Sequence, residues 1–291
     1  MRIVQISDVH FTRPTWNPLR FCAKRLAGMA NWFLFRRSWY SHEPMQVLPD
    51  LFQKLKVDLI LVGGDLTSTS LPKEFIAAKD FFNQFSQSKI FIPGNHDQYT
   101  RRSQRNLRFY RFFQNQRRAL EHPLNFFSLP EHGIEVHRLQ KGWWCIALDT
   151  APPTSLTSSN GLFSASVEKY LEEALRALPK NERILVLNHF PFFENDQSLH
   201  RLINAERLRA LLEKFPNACL YLHGHTHRHM IADLRPNNLP LILDAGCPIQ
   251  KPQSTWNLID LNEEGCEVSG YLWNDRSWQV FKQSSFQWRE L

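Results

Sequence analysis

Five short clusters of acidic, amide and imidazole side chains constrain the fold of this chain more than any other feature. Each cluster follows a short apolar run typical of a buried β-strand, as Lys89-Ile90-Phe91-Ile92-Pro93 precedes residues 94–97. The clusters are Asp8-Val9-His10, Gly63-Gly64-Asp65, Gly94-Asn95-His96-Asp97, Asn188-His189-Phe190-Pro191 and Gly224-His225-Thr226-His227. Open α/β sheets bind ligands at the carboxyl ends of their strands, so we expect the five loops to meet at one site.

The rest of the chain alternates between strand-like and helix-like segments. Residues 143–148 read as a further strand, which ends at Asp149. Helices are predicted at residues 46–56, 71–87, 164–178 and 205–215. The tail at residues 241–288 has strand-like runs without a helical period. This alternation predicts mixed α/β layers, with two sheets flanked by helices.

Composition and cysteine usage narrow the class of protein. An apolar share of 43% and a charged share of 22% are ordinary for a globular protein and do not suggest disorder. The cysteine number is odd and no pair has C-x-x-C spacing, which favours reduced thiols in a cytoplasmic protein. These residues are Cys22, Cys145, Cys219, Cys247 and Cys266. No apolar run approaches the ~18 residues of a membrane span, so we expect a chain that at most lies on a membrane.

Positive charge is concentrated in two segments that also carry many aromatic residues. The first basic segment, residues 11–45, has six basic side chains and one acid, Glu43. The second basic segment, residues 98–125, has seven arginines and one acid, Glu121. Together they exceed the whole net charge of +7, so the remaining chain is acidic. Such local basicity indicates a partner bound at one place.

The residue types in the five clusters are those that bind intermediate divalent metals. Mixed His, Asp and Asn ligands suit Mn²⁺, Fe²⁺ or Zn²⁺ better than an all-oxygen Mg²⁺ site would. Two such metals about 3.5–4 Å apart activate a water and neutralise phosphoryl oxygens, as hydrolysis of a phosphate ester requires. The competing interpretation is a set of separate structural residues, because Asp and Asn after strands also form ordinary turns.

In order and spacing, the clusters resemble the motif set of the calcineurin-like metallophosphoesterases. The resemblance rests on Asp8-x-His10, Gly64-Asp65, Gly94-Asn95-His96-Asp97, His189 and Gly224-His225-x-His227, which are specific as an ordered set. It implies one domain over residues 1–291, in which two mixed β-sheets form a sandwich flanked by helices. A helical, basic and aromatic cap would come from residues 11–45 and 98–125. The implied chemistry is hydrolysis of a phosphoester or pyrophosphate with two divalent metals, with Mn²⁺ as the first expectation.

The resemblance also implies a role for each motif residue. The first metal would be held by Asp8, His10 and His227, the second by Asn95, His189 and His225, with Asp65 as the bridge. His96 would polarise the phosphoryl group and protonate the leaving oxygen, with Asp97 behind it to orient and charge-stabilise its ring. Many relatives have an Asp or Asn shortly after the bridging carboxylate, whereas this chain reads Leu66-Thr67-Ser68. A filled ligand set favours catalysis over use of the fold as a scaffold.

The two basic segments leave the sheets beside the clusters and are expected to cap the site. As a single helix, residues 19–34 place Leu26 on an apolar face and Lys24 and Arg25 on a polar one, with aromatic residues among them. Basic residues with Trp and Phe are typical of an interfacial helix, which favours an anionic membrane surface or lipid substrate. A solvated cap and single-stranded nucleic acid are the alternatives. Candidate contact residues are Arg20, Arg25, Arg36, Arg37, Arg108, Arg111, Trp32 and Phe109.

The cap is similar to that of a narrower group, the UDP-2,3-diacylglucosamine pyrophosphatases of lipid A synthesis. Because His96 keeps the ordinary Asn-His-Asp motif, the chain resembles the alternative form of these enzymes. That resemblance implies cleavage of the lipid-linked nucleotide to lipid X and UMP. It also implies a cytoplasmic protein that is peripheral on the inner face of the inner membrane and has no obligate protein partner. The alternative is another calcineurin-like phosphodiesterase that acts on cyclic nucleotides, nucleic acid or a different phospholipid-like substrate.

Overall fold

Two six-stranded β-sheets form the frame of the protein. The computed structural model describes residues 1–15, 23–31, 37–116, 120–121, 123–140, 142–193 and 198–289. The strands are β1 (Arg2–Ile6), β2 (Leu59–Val62), β3 (Ser88–Phe91), β4 (Ile134–Arg138), β5 (Trp143–Leu148), β6 (Gly161–Leu162), β7 (Arg183–Leu187), β8 (Leu202–Ile203), β9 (Ala218–His223), β10 (His229–Asp233), β11 (Leu241–Ala245), β12 (Thr255–Leu261), β13 (Gly265–Trp273) and β14 (Trp278–Gln287). The first sheet has the order β14-β13-β12-β1-β2-β3 and the second β10-β11-β9-β7-β5-β4, while β6 and β8 pair separately.

Parallel strands in each sheet bring the predicted clusters to one edge. In the first sheet, β1, β2 and β3 run parallel, with Ile6 beside Val62 and Val62 beside Phe91. In the second sheet, β5, β7, β9 and β11 run parallel, so β7 and β9 end together with Leu187 beside Leu222. Antiparallel strands complete both sheets. The predicted α/β fold with two mixed sheets flanked by helices is confirmed.

Helices cover the outer faces of both sheets. They are α1 (Ala23–Asn31), α2 (Arg37–Trp39), α3 (Leu48–Lys54), α4 (Pro72–Phe82), α5 (Arg101–Arg105), α6 (Arg108–Phe112), α7 (Leu129–His132), α8 (Ala165–Ala177) and α9 (Ala205–Glu213), with 3₁₀-helices at Glu43–Val47, Leu124–Phe126 and Arg235–Asn237. The first sheet packs against Phe52 of α3, Phe75 of α4 and Phe109 of α6. The second packs against Leu171 of α8 and Leu208 of α9, and a third apolar cluster fills the space between the sheets. These layers hold the strand ends in fixed positions.

Most of the predicted helices are present, with boundaries set by local chemistry. The helix expected at residues 164–178 is α8, and Ser164 caps it by accepting a hydrogen bond from the amide of Val167 at 3.3 Å. The helix expected at 71–87 ends at Phe82, because the chain turns before it enters β3. The helix expected at 46–56 is divided, since a 3₁₀-helix ends at Val47 and α3 begins at Leu48, with Pro49 in its first turn. Helix α9 corresponds to the prediction at 205–215.

Helix α1 is oriented differently from its predicted amphipathic pattern. Arg25, which the pattern placed on the polar face, is only 7% exposed, whereas Leu26 of the apolar face is 47% exposed. Arg25 turns inward because its Nε donates to the carbonyl of Thr69 at 3.1 Å. The predicted helix also included residues 19–22 and 32–34. These lie within residues 16–22 and 32–36, which are outside the described residues. Within the described ranges, no helix combines the length and the apolar character that crossing a membrane requires.

Candidate metal centre

Seven predicted ligand residues meet where the parallel strands end. Asp8, Asp65 and Asn95 follow β1, β2 and β3, while His189 follows β7 and the His225/His227 pair follows β9. Five of the seven side chains are almost completely buried, namely Asp8, His10, Asp65, Asn95 and His189. Three groups of their ligand atoms, one of which includes His96, each lie within 4.8 Å of one another. The fold therefore concentrates carboxylate and imidazole donors in a space of metal-site size.

The first subsite consists of Asp8, His10 and His227. The Nε2 atom of His227 lies 3.1 Å from Oδ1 of Asp8 and 3.1 Å from Nε2 of His10. Oδ2 of Asp8 accepts a hydrogen bond from the amide of His225, whereas the buried Oδ1 accepts none from the described residues. A buried carboxylate oxygen without a donor is costly, and two imidazole nitrogens facing it suit a cation. These three side chains fit one divalent metal.

The second subsite consists of Asn95, His189 and His225, and the main chain orients both of its histidines. Nδ1 of His189 donates to the carbonyl of Gly63 at 2.8 Å, which leaves Nε2 with its lone pair, 3.2 Å from Oδ1 of Asn95. Nε2 of His225 lies 3.1 Å from the carbonyl of His200, so Nδ1 remains for a metal. Carbonyl partners of this kind fix the tautomer and the ring orientation of metal-binding histidines.

Asp65 lies between the two subsites. Its Oδ2 is 3.5 Å from Nε2 of His189 and 3.9 Å from Nε2 of His10, while its Oδ1 accepts a hydrogen bond from the amide of His96 at 2.8 Å. Burial raises the pKa of Asp65, but the neighbouring imidazoles, first His189 and then His96 when these rings are protonated, outweigh burial and hold that pKa well below its usual value. A carboxylate that faces both subsites is placed to bridge two metals.

His96 lies beside the first subsite, with one nitrogen already engaged. Its Nδ1 is 2.6 Å from the carbonyl of Ser68, so Nδ1–H donates there and the role in proton delivery is assigned to Nε2. The ring meets that of His10 edge-on, with centroids 4.8 Å apart. The position fits a group that acts on the reacting phosphate rather than one that serves only the core.

The predicted role of Asp97, which was to orient the ring of His96, is corrected by the structure. Its carboxylate accepts hydrogen bonds from the amides of Leu66, Thr67 and Gly94 at 3.1, 2.9 and 3.1 Å. Asp97 therefore ties the loop after β2 to the loop after β3, because its side chain turns beneath both. Burial and the charge of Asp65 raise the pKa of Asp97 to about 7. The carbonyl of Ser68 takes the orienting position instead.

The backbone at the centre is held in an unfavourable conformation. The five ligand residues with a left-handed backbone are Asp8 (φ 59°), His10 (φ 38°), Asp65 (φ 54°), His225 (φ 69°) and His227 (φ 57°). This conformation is costly for residues other than glycine and persists where the surrounding fold enforces it. Gly94 permits close approach here, since a Cβ at this position would lie 2.2 Å from Oδ1 of Asp65. The ligand geometry is thus imposed by the scaffold.

Several groups at the centre carry no signal in the sequence. The hydroxyl of Tyr40 and Oε1 of Gln250 lie 3.1 and 3.0 Å from Nδ1 of His227, and both can orient that ring. The carbonyls of Ser68 and His200 hold His96 and His225, yet a main-chain carbonyl has no residue identity that a motif could reveal. In the sequence, nothing distinguishes Tyr40 from the other aromatic residues of the first basic segment.

The structure separates the candidate substrate-contact residues into different surroundings. Arg25 and Arg108 donate to the carbonyls of Thr69 and Ser70. Arg111 is exposed on α6, whereas the candidate contact role of Phe109 is wrong, because its side chain packs in the core at 2% exposure. Three further candidates, Arg20, Trp32 and Arg36, lie outside the described residues, as does the side chain of Arg37.

Comparisons with known proteins bear directly on this centre. A family model described as calcineurin-like phosphoesterase matches residues 1–229. A 3′,5′-cyclic-nucleotide phosphodiesterase of Nostoc is 26% identical over 230 residues, which are 78% of this chain and 71% of that protein. The 3′,5′-cyclic adenosine monophosphate phosphodiesterase CpdA of Escherichia coli is 24% identical over 282 residues, which are 91% of this chain and 86% of that protein. A solved dimetal phosphatase from Danio rerio shares the fold, with a TM-score of 0.68, 14% identity and 99% of each chain covered.

Proposed function

The chain belongs to the calcineurin-like phosphoesterase family and is a metal-dependent phosphoester hydrolase, and we propose that its substrate is a 3′,5′-cyclic nucleotide. The observation that carries this proposal is the alignment, over 91% of the chain, with a relative named as a cyclic adenosine monophosphate phosphodiesterase. Cleavage of one P–O bond of a cyclic phosphodiester takes one attacking water and is assisted by one proton donor. The centre supplies one candidate donor, His96, beside the two subsites.

The residues of the centre divide the work of such a hydrolysis. Two divalent metals, when bound at the subsites, would activate the attacking water and neutralise the phosphoryl oxygens. His96 would hold a proton on Nε2 and release it to the leaving oxygen as the P–O bond breaks, since its Nδ1–H is fixed on Ser68. The hydrogen bond from the amide of His96 keeps Asp65 oriented. These assignments follow the chemistry of the donor set, and the native metal is left open between Mn²⁺, Fe²⁺ and Zn²⁺.

A second candidate is the lipid-linked pyrophosphate of the sequence analysis, at an anionic membrane surface. Two exposed side chains of the first basic segment, Leu26 at 47% and Trp39 at 63%, are the observation that favours it. The relatives reported above are named as cyclic-nucleotide phosphodiesterases, and they support the cyclic-nucleotide proposal rather than this second candidate. Peripheral attachment to the inner face of the inner membrane is a prediction that belongs to this second candidate only.

Substrate profiling separates the two candidates. The Mn²⁺-loaded protein would be given 3′,5′-cyclic AMP, single-stranded DNA, and UDP-2,3-diacylglucosamine with and without detergent micelles. We expect the highest kcat/KM for the cyclic nucleotide, no enhancement by micelles, and loss of turnover in Asp65→Ala. A higher kcat/KM for UMP release from the lipid would overturn the cyclic nucleotide proposal in favour of the second candidate. Preferred cleavage of DNA would contradict both.

A further inference from the structure

Tyr99 contacts both the ring of His96 and helix α1. The rings of Tyr99 and His96 stack with centroids 5.5 Å apart and planes 19° apart. The hydroxyl of Tyr99 donates to the carbonyl of Lys24 at 3.0 Å, and the Lys24 ammonium lies 4.5 Å from the centroid of the Tyr99 ring. Tyr99 is only 8% exposed, so it cannot leave this position without disturbing its neighbours. The ring that faces His96 is thus held by the first turn of α1.

Gly28 allows α1 to approach Tyr99 closely. A Cβ at Gly28 would lie 2.6 Å from the hydroxyl oxygen of Tyr99 and 3.4 Å from Cγ2 of Thr69. Glycine is unfavourable inside a helix, so a glycine at this contact weakens α1 locally while permitting the close contact. The sequence of α1 therefore fits docking on Tyr99 better than it fits independent helix formation.

The same helix is tied to the second support of His96 and to the opposite sheet. Arg25 donates to the carbonyl of Thr69, the residue directly after Ser68, whose carbonyl binds Nδ1 of His96. Nζ of Lys24 lies 2.8 Å from Oγ1 of Thr154, in the loop that follows β5 of the second sheet. Helix α1 thus contacts Tyr99 and the residue next to Ser68, and it joins loops from the two sheets.

We infer that Tyr99 is a positioning residue for His96, and that docking of α1 on Tyr99 sets the direction in which His96 delivers its proton. The inference rests on the proposed role of His96 as general acid, but it does not depend on which phosphodiester is the native substrate. In the step concerned, a water that has given up one proton to solvent bonds through its oxygen to phosphorus while the P–O bond to the leaving group breaks, and the Nε2 proton of His96 moves to the leaving oxygen. A misdirected donor costs most when the leaving oxygen is strongly basic.

The test compares Tyr99→Leu with the wild-type chain on methyl aryl phosphates. The leaving phenols would run from 4-nitrophenol, which departs without help, to unsubstituted phenol, which needs a proton. We expect Tyr99→Leu to lower kcat about 30-fold for the phenyl ester and less than about 3-fold for the 4-nitrophenyl ester, within the ~10²–10⁴-fold that a general acid contributes. Tyr99→Phe keeps the stacked ring but removes the hydroxyl that binds α1, so its kcat for the phenyl ester should lie between those of the wild type and Tyr99→Leu.

A matched control separates positioning from mere destabilisation. Tyr271 is 9% exposed and stacked on Trp256, so Tyr271→Leu removes a similar ring at a distance from the centre. This control should lower thermal stability without changing the dependence of rate on the leaving group. Equal losses for all esters in Tyr99→Leu would overturn the inference. So would an undiminished loss when Tyr99→Leu is added to His96→Ala, because a positioning residue acts only through its partner.

Gly28→Ala provides a second route in case Tyr99→Leu does not fold. It leaves Tyr99 and His96 intact and raises helix propensity, but it forces α1 away from the Tyr99 hydroxyl. The same leaving-group-dependent loss is expected, whereas Ala27→Ser on the exposed side of α1 should resemble the wild type. A Gly28→Ala protein with wild-type rates for every ester would contradict the inference. Absence of cyclic nucleotide turnover, with the leaving-group pattern intact, would overturn the proposed substrate alone.

Discussion

Both basic segments combine several basic and aromatic side chains, yet the helices that they contribute join the rest of the protein in different ways. In the second segment, Phe109 and Phe113 are 2% and 5% exposed and lie against Phe75 of α4. In the first segment, Leu26 and Trp39 are 47% and 63% exposed. Phe11 and Met45, at the two ends of the first segment, join the core, whereas its helix α1 makes polar contacts with loops of both sheets.

This difference shows that residue type alone does not decide what an aromatic and basic segment does. The second segment follows β3 and returns to the outer face of the first sheet, where aromatic rings complete the core. The first segment follows β1 and places Tyr40 on His227 and α1 on Tyr99. We therefore expect substitutions in α6 of the second segment to affect folding first. Substitutions at Tyr40 or in α1 of the first segment, and at Tyr99, which α1 contacts, should affect metal binding and catalysis.

The largest predicted effect is on stability, for Phe109→Ala. Removal of a fully buried ring leaves a cavity and should lower the free energy of unfolding by about 3–4 kcal/mol, measured by urea denaturation. The folded fraction should keep a metal content close to that of the wild type. A loss below about 1 kcal/mol would show that the second segment does not belong to the core as described.

A second prediction concerns Glu74, a buried carboxyl beneath the first segment. It accepts hydrogen bonds from the amides of Thr69 and Leu71, both at 2.9 Å, in the loop that also binds Arg25. Burial raises the pKa of Glu74 from 4.5 to about 7, so the folded protein holds a proton that the unfolded chain has lost between these pH values. The contribution of Glu74 to stability therefore falls as pH rises through this range.

The variant Glu74→Gln has no carboxyl group at this position, so its stability should not show this fall as the pH rises. Relative to the variant, the wild type should lose roughly 3 kcal/mol of its free energy of unfolding between pH 4.5 and pH 8. Chemical denaturation across this range measures the shift. Parallel curves for the two proteins would show that Glu74 ionises normally and that the loop under α1 is open to water.

A smaller effect is predicted for Tyr40, a residue of the first segment whose hydroxyl contacts His227 of the first subsite. Tyr40→Phe removes a hydroxyl 3.1 Å from Nδ1 of His227, while Oε1 of Gln250 remains 3.0 Å away as a second partner. Metal affinity should fall about 10-fold, at the low end for loss of a group that orients a ligand. Titration of the metal-free protein with Mn²⁺ measures this. A fall of similar size in Phe109→Ala would remove the contrast between the segments.

The smallest effect is expected for the exposed ring of Trp39. Trp39→Ser should change the free energy of unfolding by less than about 0.5 kcal/mol, because little of the side chain is buried. Turnover of a cyclic nucleotide should also stay close to wild type, with or without anionic vesicles. A loss of activity that appears only with vesicles would instead support the lipid-linked substrate.

The sequence predicted the sheets and the meeting of seven ligand residues because strand polarity and motif position determine both. Asp8, Asp65 and Asn95 follow parallel strands of one sheet, and His189 and the His225/His227 pair follow strands of the other. Sequence reasoning could not find the carbonyls that orient His96 and His225, since every residue has one. It also misjudged Asp97, whose place beneath two loops depends on how those loops cross.

The helical pattern of the sequence also could not predict the rotation of α1 about its axis. A period of 3.6 residues identifies two faces, but it does not decide which face meets the protein when the partner is polar. Here Gly28 docks on Tyr99 and Arg25 reaches a carbonyl, so the apolar Leu26 is turned outward. Tertiary contacts outweighed the burial that hydrophobicity alone would favour.

Metal content measured together with turnover tests the central claim that the five strand-end loops assemble one two-metal hydrolytic centre. The wild-type chain, loaded with Mn²⁺ and freed of excess metal, should hold about two ions per chain and hydrolyse 3′,5′-cyclic AMP. Asp65→Ala removes the carboxylate between the subsites, so it should hold at most about one ion and lose turnover by about 10³-fold or more. Retention of both ions with turnover within about tenfold of wild type would contradict the claim.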